Sequence, residues 1–219
     1  MFTPQLDILP APQRALWPEL AATPPDFTLY GGTAIALRLG HRYSVDFDFF
    51  SAEPFTPAEL QARVPYLIGG AIRQSAANTL TLTVDRGGPV QVSYFGGLGL
   101  GQVAPSETVE GPAIAVASLI DLGGMKAAVV TQRAELKDYL DLHALITQGG
   151  LPLSSMLAAA AVIYGNEFNP LIALKAIGYH DDPALAELQE AMRRDLVAAV
   201  RGVDVGALPK LDAVRKRQP

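Results

Sequence analysis

Tyr30-Gly-Gly-Thr-Ala-Ile-Ala-Leu-Arg-Leu-Gly-His-Arg-Tyr-Ser-Val-Asp-Phe-Asp-Phe-Phe50 is the stretch from which the fold and the chemistry both follow. From Val45 to Phe49 apolar and acidic residues alternate, the period of a strand with one buried face. Residues two apart on a strand project to the same side. Val45, Phe47 and Phe49 are therefore expected on the core face, and Ser44, Asp46 and Asp48 on the opposite one. Two carboxylates about 4 Å apart repel by roughly 4 kcal/mol at an effective dielectric near 20. One of them tends to hold a proton unless a cation sits between them. Hard oxygen ligands on a rigid strand suit Mg2+, or Mn2+ in its place. An ordinary solvated strand face carries the same Asp-x-Asp pattern, so the pair alone leaves both readings open.

The residues before the strand favour the cation. Phe27–Tyr30 reads as a short strand, Gly31 and Gly32 follow it, and a helix is expected over Thr33–Leu39. Glycines at such a turn let backbone approach a phosphate closely, and the helix N-terminus offers N–H groups and a favourable dipole. Thr33 is either a plain N-cap or a hydroxyl that contacts phosphate. A phosphate cradle followed by a carboxylate pair makes one coherent site.

Further along, Thr79–Val84 alternates as a half-buried strand, Asp85-Arg86-Gly87-Gly88 forms a hairpin turn, and Val90–Phe95 returns as its partner. Other helices are expected at Pro12–Ala22 and Pro57–Val64. Phe95–Gly101 and Pro105–Gly111 read as linker. Beyond them Ala113–Val130, Gln132–Ile146, Leu153–Tyr164, Pro170–Ile177 and Pro183–Val200 carry apolar residues at helical spacing. Strands first and helices second indicate an α+β protein with two domains, 1–106 and 107–219.

Composition sets the outer bounds. Of the 219 residues 49% are hydrophobic and 18% charged, enough to bury a core and not a disordered composition. There is no cysteine and there are three dispersed histidines, which exclude disulfides and thiolate metal sites and argue against zinc. No signal peptide or membrane span is visible, and a cytoplasmic location is expected. The net charge of −5 argues against broad, nonspecific binding of nucleic acid. Arg193, Arg194, Arg201, Arg215, Lys216 and Arg217 cluster near the C-terminus and read as a solvated, frayed end.

Gly31-Gly32, thirteen residues, then Asp46-Phe47-Asp48-Phe49 resembles the signature of the polymerase-β-type nucleotidyltransferase superfamily. Gly31-Gly32-Thr33 together with His41-Arg42-Tyr43-Ser44-Val45-Asp46-Phe47-Asp48-Phe49-Phe50 is similar to the AbiEii/AbiGii toxin family of type IV toxin–antitoxin and abortive-infection systems. Lys126 to Arg133, Lys137-Asp-Tyr-Leu-Asp-Leu142 and Leu174 to Asp182 resemble that family's later motifs. The likeness thus spans about residues 27–182.

The resemblance implies a polymerase-β-like mixed sheet with flanking helices, completed by the helical C-terminal region. It implies a Mg-dependent transfer of a nucleoside monophosphate from an NTP to an RNA acceptor, such as the 3′ end of tRNA, in a toxin whose neighbouring antitoxin is the functional partner. Asp46 and Asp48 become metal ligands. Gly31, Gly32, Thr33, Arg42 and Ser44 become nucleotide-binding residues. Lys126 neutralises the triphosphate, although a lone lysine on a helix ordinarily marks a solvated face. Asp138 and Asp141, three apart on one helix face, become active-site acids, where the plain alternative is surface pairing with Arg133 or Lys137. One departure stands out. The superfamily often carries a third acid on a later strand, and here that strand reads Val90-Gln91-Val92-Ser93-Tyr94, which leaves the general base unassigned: either Asp138 or Asp141 replaces it, or activity is reduced or lost. A catalytically reduced nucleotide-binding module and an enzyme moving a different phosphoryl group are the competing readings.

Overall fold

The structure, a computed structural model, describes residues 1–217; the last two residues of the expected second domain lie outside these. The chain divides into two compact units. The first comprises Met1–Gly99 and Ser106–Ala117, and the second Leu100–Pro105 and the chain from Ser118 onward. The expected boundary after residue 106 thus falls where the chain exchanges short segments between units.

The first unit is built on a mixed seven-stranded sheet: β1 (Thr28–Tyr30), β2 (Asp46–Phe50), β3 (Ala71–Ala76), β4 (Thr79–Asp85), β5 (Pro89–Phe95), β6 (Glu107–Thr108) and β7 (Ala115–Val116), in the order β3-β4-β5-β2-β1-β7-β6. β2 is central, antiparallel to β1 and parallel to β5. Pairing on both sides gives the strand that carries Asp46 and Asp48 a backbone fixed in register. Cross-strand partners share a face. Phe47, Val92 and Leu82 form one row, and Phe49, Tyr94 and Leu80 the next, all buried. Three helices accompany the sheet: α1 (Ala11–Leu16), α2 (Gly31–Leu39) and α3 (Pro57–Arg63). Trp17, just beyond α1, packs its ring 6.4 Å from that of Phe47, and Tyr94 stacks on Phe49 at 5.1 Å. The opposite face carries Asp46, Asp48 and Phe50 on β2 beside Gln91, Ser93 and Phe95 on β5.

The second unit is helical: α4 (Leu119–Val129), α5 (Leu136–Thr147), α6 (Leu153–Tyr164), α7 (Pro170–Gly178) and α8 (Glu190–Arg201). α4 packs on α6 so closely that a Cβ at Gly124 would lie 2.8 Å from the backbone nitrogen of Ala160. Ala158, Ala159 and Ala160 on α6 supply the matching small, buried surface. No helix among the described residues is long and apolar enough to cross a membrane.

Several expectations are corrected. Val45 precedes the strand and is 49% exposed; its carbonyl accepts a hydrogen bond from Gln13 Nε2 at 2.8 Å instead. The helix expected from Thr33 begins at Gly31, behind an extended Tyr30. Ala113–Val130 is not one helix. Ala115–Val116 pairs in parallel with β1, and α4 starts only where Ser118 caps it. The five-residue apolar run 113–117 has no period that distinguishes strand from helix. Pro105–Gly111 is not a free linker, since Glu107–Thr108 pairs with β7. Pro12–Ala22 splits into α1 and a 3-10 segment at Trp17–Ala22, because Pro18 has no N–H to continue the α-helical ladder. Pro183–Val200 likewise opens with a 3-10 turn before α8. β3 escaped the reading because all six of its residues are exposed, so it has no apolar alternation to detect.

The C-terminal segment is tied down rather than frayed. Gln102 and Arg215 form an antiparallel bridge, with Gln102 N–H donating to the Arg215 carbonyl at 2.8 Å. Arg217 pairs with Glu167. Arg193 spends its guanidinium on the carbonyls of Leu188 and Leu185, each at 2.8 Å. Arg193 and Arg217 therefore serve as structural braces.

Candidate active site

In the first unit the glycine turn and the acidic strand meet. Tyr30 on β1 is the cross-strand partner of Asp48 on β2, so the turn after Tyr30 lies beside that carboxylate. Gly31 has φ +75°, and a Cβ placed there would come 2.8 Å from Asp48 Oδ2. Both facts demand glycine: left-handed backbone costs an L-residue roughly 1–2 kcal/mol, and the added carbon would push the carboxylate aside. Asp46 and Asp48 are half-buried on the same face.

Thr33 and Ser44 sit behind this turn. Thr33 is buried at the third position of α2, and its hydroxyl hydrogen-bonds to Ser44 Oγ at 2.6 Å and to the Asp46 carbonyl. The two hydroxyls thereby lock the start of β2 to the start of α2, which fixes Asp46 relative to the glycine turn. Thr33 is thus not the N-cap residue; Tyr30 holds that position. Arg42 donates to the Tyr43 carbonyl at 2.9 Å.

The β2–β5 register shows what stands beside the acids. Asp46 faces Gln91, and Asp48 faces Ser93. The position where a third acid was sought is therefore filled by a neutral amide and a buried hydroxyl. Among the described residues no group of three or more His, Cys, Asp or Glu side chains is arranged to hold a metal. The donor set that remains, two carboxylates on one rigid strand, fits Mg2+, which keeps several waters and is usually held by one or two carboxylates together with substrate phosphates.

The second unit holds the remaining candidates. Lys126 on α4 is only 8% exposed, and Asp138 and Asp141 on α5 are fully buried. Lys126 Nζ donates to Asp138 Oδ1 at 2.6 Å and pairs with Asp141 Oδ2 at 2.8 Å. Arg133 Nε reaches the other oxygen of Asp138 at 2.9 Å. Neither the solvated lysine nor the surface ion pair describes this group; Lys137 pairs with Glu135 outside it. Burial alone would raise the Asp138 carboxyl, but the hydrogen bond from Arg133 and the Lys126 charge outweigh it and hold the group below the ordinary carboxylate range. With both oxygens engaged, Asp138 is a poor proton acceptor and a good anchor for the lysine.

Asp121 is a buried residue that sequence reading passed over. Its carboxylate accepts from Ser118 Oγ at 2.5 Å and from the backbone N–H groups of Val103 and Ala104 at 2.7 and 3.1 Å. It ties the Leu100–Pro105 segment to the first turn of α4. The Ser118-x-x-Asp121 spacing is a capping-box signal that announces such a residue.

Comparison with known proteins agrees with this architecture. An uncharacterised protein of Aquifex aeolicus is 30% identical over 160 residues, covering 72% of this chain and 75% of its own length. Two solved structures share the fold. MenT4, a nucleotidyltransferase toxin from Mycobacterium tuberculosis H37Rv, matches with a TM-score of 0.58 at 17% identity, covering 89% of this chain and 83% of its own. A candidate nucleotidyltransferase from H. pylori matches with a TM-score of 0.53, also at 17% identity, covering 86% and 90%. The profile of the family described as nucleotidyl transferase AbiEii toxin, type IV TA system, matches residues 14–217. With the glycine turn, the acidic strand and nearly the whole length accounted for, this chain belongs to the AbiEii family of nucleotidyltransferase toxins.

Proposed function

We propose that this toxin transfers a nucleoside monophosphate from an NTP to an RNA acceptor, with the 3′ end of tRNA as the favoured acceptor, in a Mg2+-dependent reaction. The observation that carries the reading is that Gly31 leaves no room for a Cβ beside Asp48: a turn built for close backbone approach lies next to one of two carboxylates on a central strand. In the reaction the acceptor hydroxyl oxygen bonds to the α-phosphorus, the α–β phosphoanhydride bond breaks, pyrophosphate departs and the hydroxyl proton is released. When bound, the divalent cation supplies charge neutralisation at the triphosphate.

The chain's own residues divide the remaining work. Asp46 and Asp48 would hold the cation. Gly31 and Gly32 offer backbone N–H groups to phosphate at the start of α2. Thr33 and Ser44 position Asp46 through their paired hydroxyls, and Arg42 contributes charge for phosphate. By the family motif Lys126, Asp138 and Asp141 support the reaction as one buried charge group of the second unit, with Lys126 held between the two acids. A cognate antitoxin encoded nearby and a cytoplasmic location complete the reading.

Two NTP labels distinguish this reaction from its rivals. Incubation with Mg2+, total tRNA and each NTP labelled at the α-phosphate should transfer label to RNA, whereas γ-labelled NTP should leave it in pyrophosphate. Transfer of γ-label to the acceptor would replace this reading with a phosphate- or pyrophosphate-moving enzyme. Metal-dependent nucleotide binding without any transfer would reduce the protein to a binding module.

A further inference from the structure

Within the second unit, the segment after α7 and one side of α8 bound an open cleft of about 740 Å3 that the proposed reaction leaves unused. Its α8 wall is a single stripe, Glu190, Arg193, Arg194, Val197, Ala198 and Arg201, spaced three and four apart and so aligned along one side of the helix. The rest of the lining is the segment 178–181, where Tyr179 is 56% exposed.

The segment that presents Tyr179 is braced from both sides. Arg193 donates to the carbonyls of Leu188 and Leu185 at 2.8 Å and to that of His180 at 3.4 Å, which ties the segment to α8. Tyr139 on α5 donates its hydroxyl to the Ala176 carbonyl at 2.9 Å, and its ring meets that of His180 edge-on at 5.9 Å. A tyrosine ring held out on a fixed backbone has little entropy to lose when it is covered.

Arg194 and Arg201 are exposed. They lie seven residues apart on α8, about 10 Å along its axis, with the short side chains of Val197 and Ala198 between them. Arg194 meets Glu190 at 3.9 Å, an exposed pair that competes weakly with a ligand. Three arginines against the carboxylates of Asp181 and Glu190 give the lining a positive surplus in a chain whose net charge is −5. Cations that follow a phosphate backbone and aromatic rings that stack on bases are the combination that holds single-stranded nucleic acid. An acidic peptide would answer the arginines but offers no flat base for Tyr179.

We propose that this cleft binds a single-stranded stretch of RNA, with phosphates at Arg194 and Arg201 and a base stacked on Tyr179. The inference rests on RNA as the acceptor proposed above and concerns binding alone.

The test is fluorescence anisotropy of the full chain with a labelled oligoadenylate about eight nucleotides long, in EDTA and without NTP, so that neither metal nor triphosphate contributes. The wild type is expected to bind, Tyr179→Ala to bind about tenfold more weakly, and Tyr179→Phe to bind as the wild type does, since a base stacks on either ring. Arg201→Gln is expected to lower the slope of log K against log salt by about 0.7, the loss of one phosphate contact. Both positions are exposed, so native circular dichroism is expected in each variant. Absence of wild-type binding overturns the inference, as does binding that either Tyr179→Ala or Arg201→Gln leaves unchanged. Displacement of the RNA by poly-glutamate of equal charge also overturns it and makes the cleft a site for acidic peptide. Failure of α-label transfer alongside Tyr179-dependent RNA binding removes the reaction and keeps RNA as a ligand of this cleft; transfer that proceeds while both variants bind RNA normally does the reverse.

Discussion

Replacing Lys126 with alanine probes the buried charge group of the second unit. Lys126 is the shared partner of Asp138 and Asp141, both fully buried, and its Nζ lies 2.6 and 2.8 Å from their oxygens. Removing it takes away the cation that the two carboxylates share, while Arg133 still reaches Asp138. Breaking a buried ion pair by deleting one partner costs about 3–5 kcal/mol. For a chain of this size each kcal/mol moves Tm by roughly 2–4 °C. Lys126→Ala should therefore unfold about 6–20 °C below the wild type in calorimetry near neutral pH. Adding Asp141→Asn should recover part of the loss, because it removes one of the two buried negative charges that shared Lys126. A Tm within 1 °C of wild type, or a double variant less stable than Lys126→Ala alone, would refute the claim that the lysine neutralises these acids.

Other outcomes follow from the same geometry. The Asp138 carboxyl is held below its ordinary value of 3.8, so its contribution to stability is complete above that value and is lost as pH falls toward the lower folded one. Asp138→Asn should flatten the acid limb of a stability–pH curve measured by denaturant titration, while lowering stability at neutral pH. Gly31→Ala meets both a left-handed backbone and the Asp48 oxygen. It should lose about 1–2 kcal/mol of stability and a much larger share of nucleotide transfer, read as kcat in a tRNA-labelling assay. Asp121→Ala removes the acceptor of three hydrogen bonds, two of them to the Leu100–Pro105 backbone. A loss of about 2–3 kcal/mol is expected, with amide exchange accelerating first at Val103 and Ala104.

Much of the first unit was legible because its strands alternate cleanly. Phe47 and Phe49, Leu80 and Leu82, and Val92 and Tyr94 all land on one buried face, where period-two spacing puts them. The turn at Asp85 was equally readable: its Oδ1 accepts from the N–H groups of Gly87 and Gly88. What stayed hidden has no local signal. β3 is exposed throughout and exists through pairing with β4, and β7 through pairing with β1. Thr33 presented two possible roles in sequence, as a cap or a phosphate ligand, and the structure shows its hydroxyl bonded to Ser44 and Asp46. Nor does helical spacing alone reveal that Lys126, Asp138 and Asp141 are buried together. Three-residue spacing puts the two acids on one face of α5, but only the packing of α4 against α5 supplies the cation.

In the proposed reaction Asp46 and Asp48, beside the glycine turn, hold the metal-bound NTP for transfer to RNA. The most direct measurement is incorporation of α-labelled NTP into total tRNA by the wild type, Asp46→Ala and Asp48→Ala, with folding checked by circular dichroism. Mg2+-dependent labelling is expected from the wild type, with its loss in both variants while they remain folded. Labelling that persists unchanged in either variant contradicts that role of the two carboxylates.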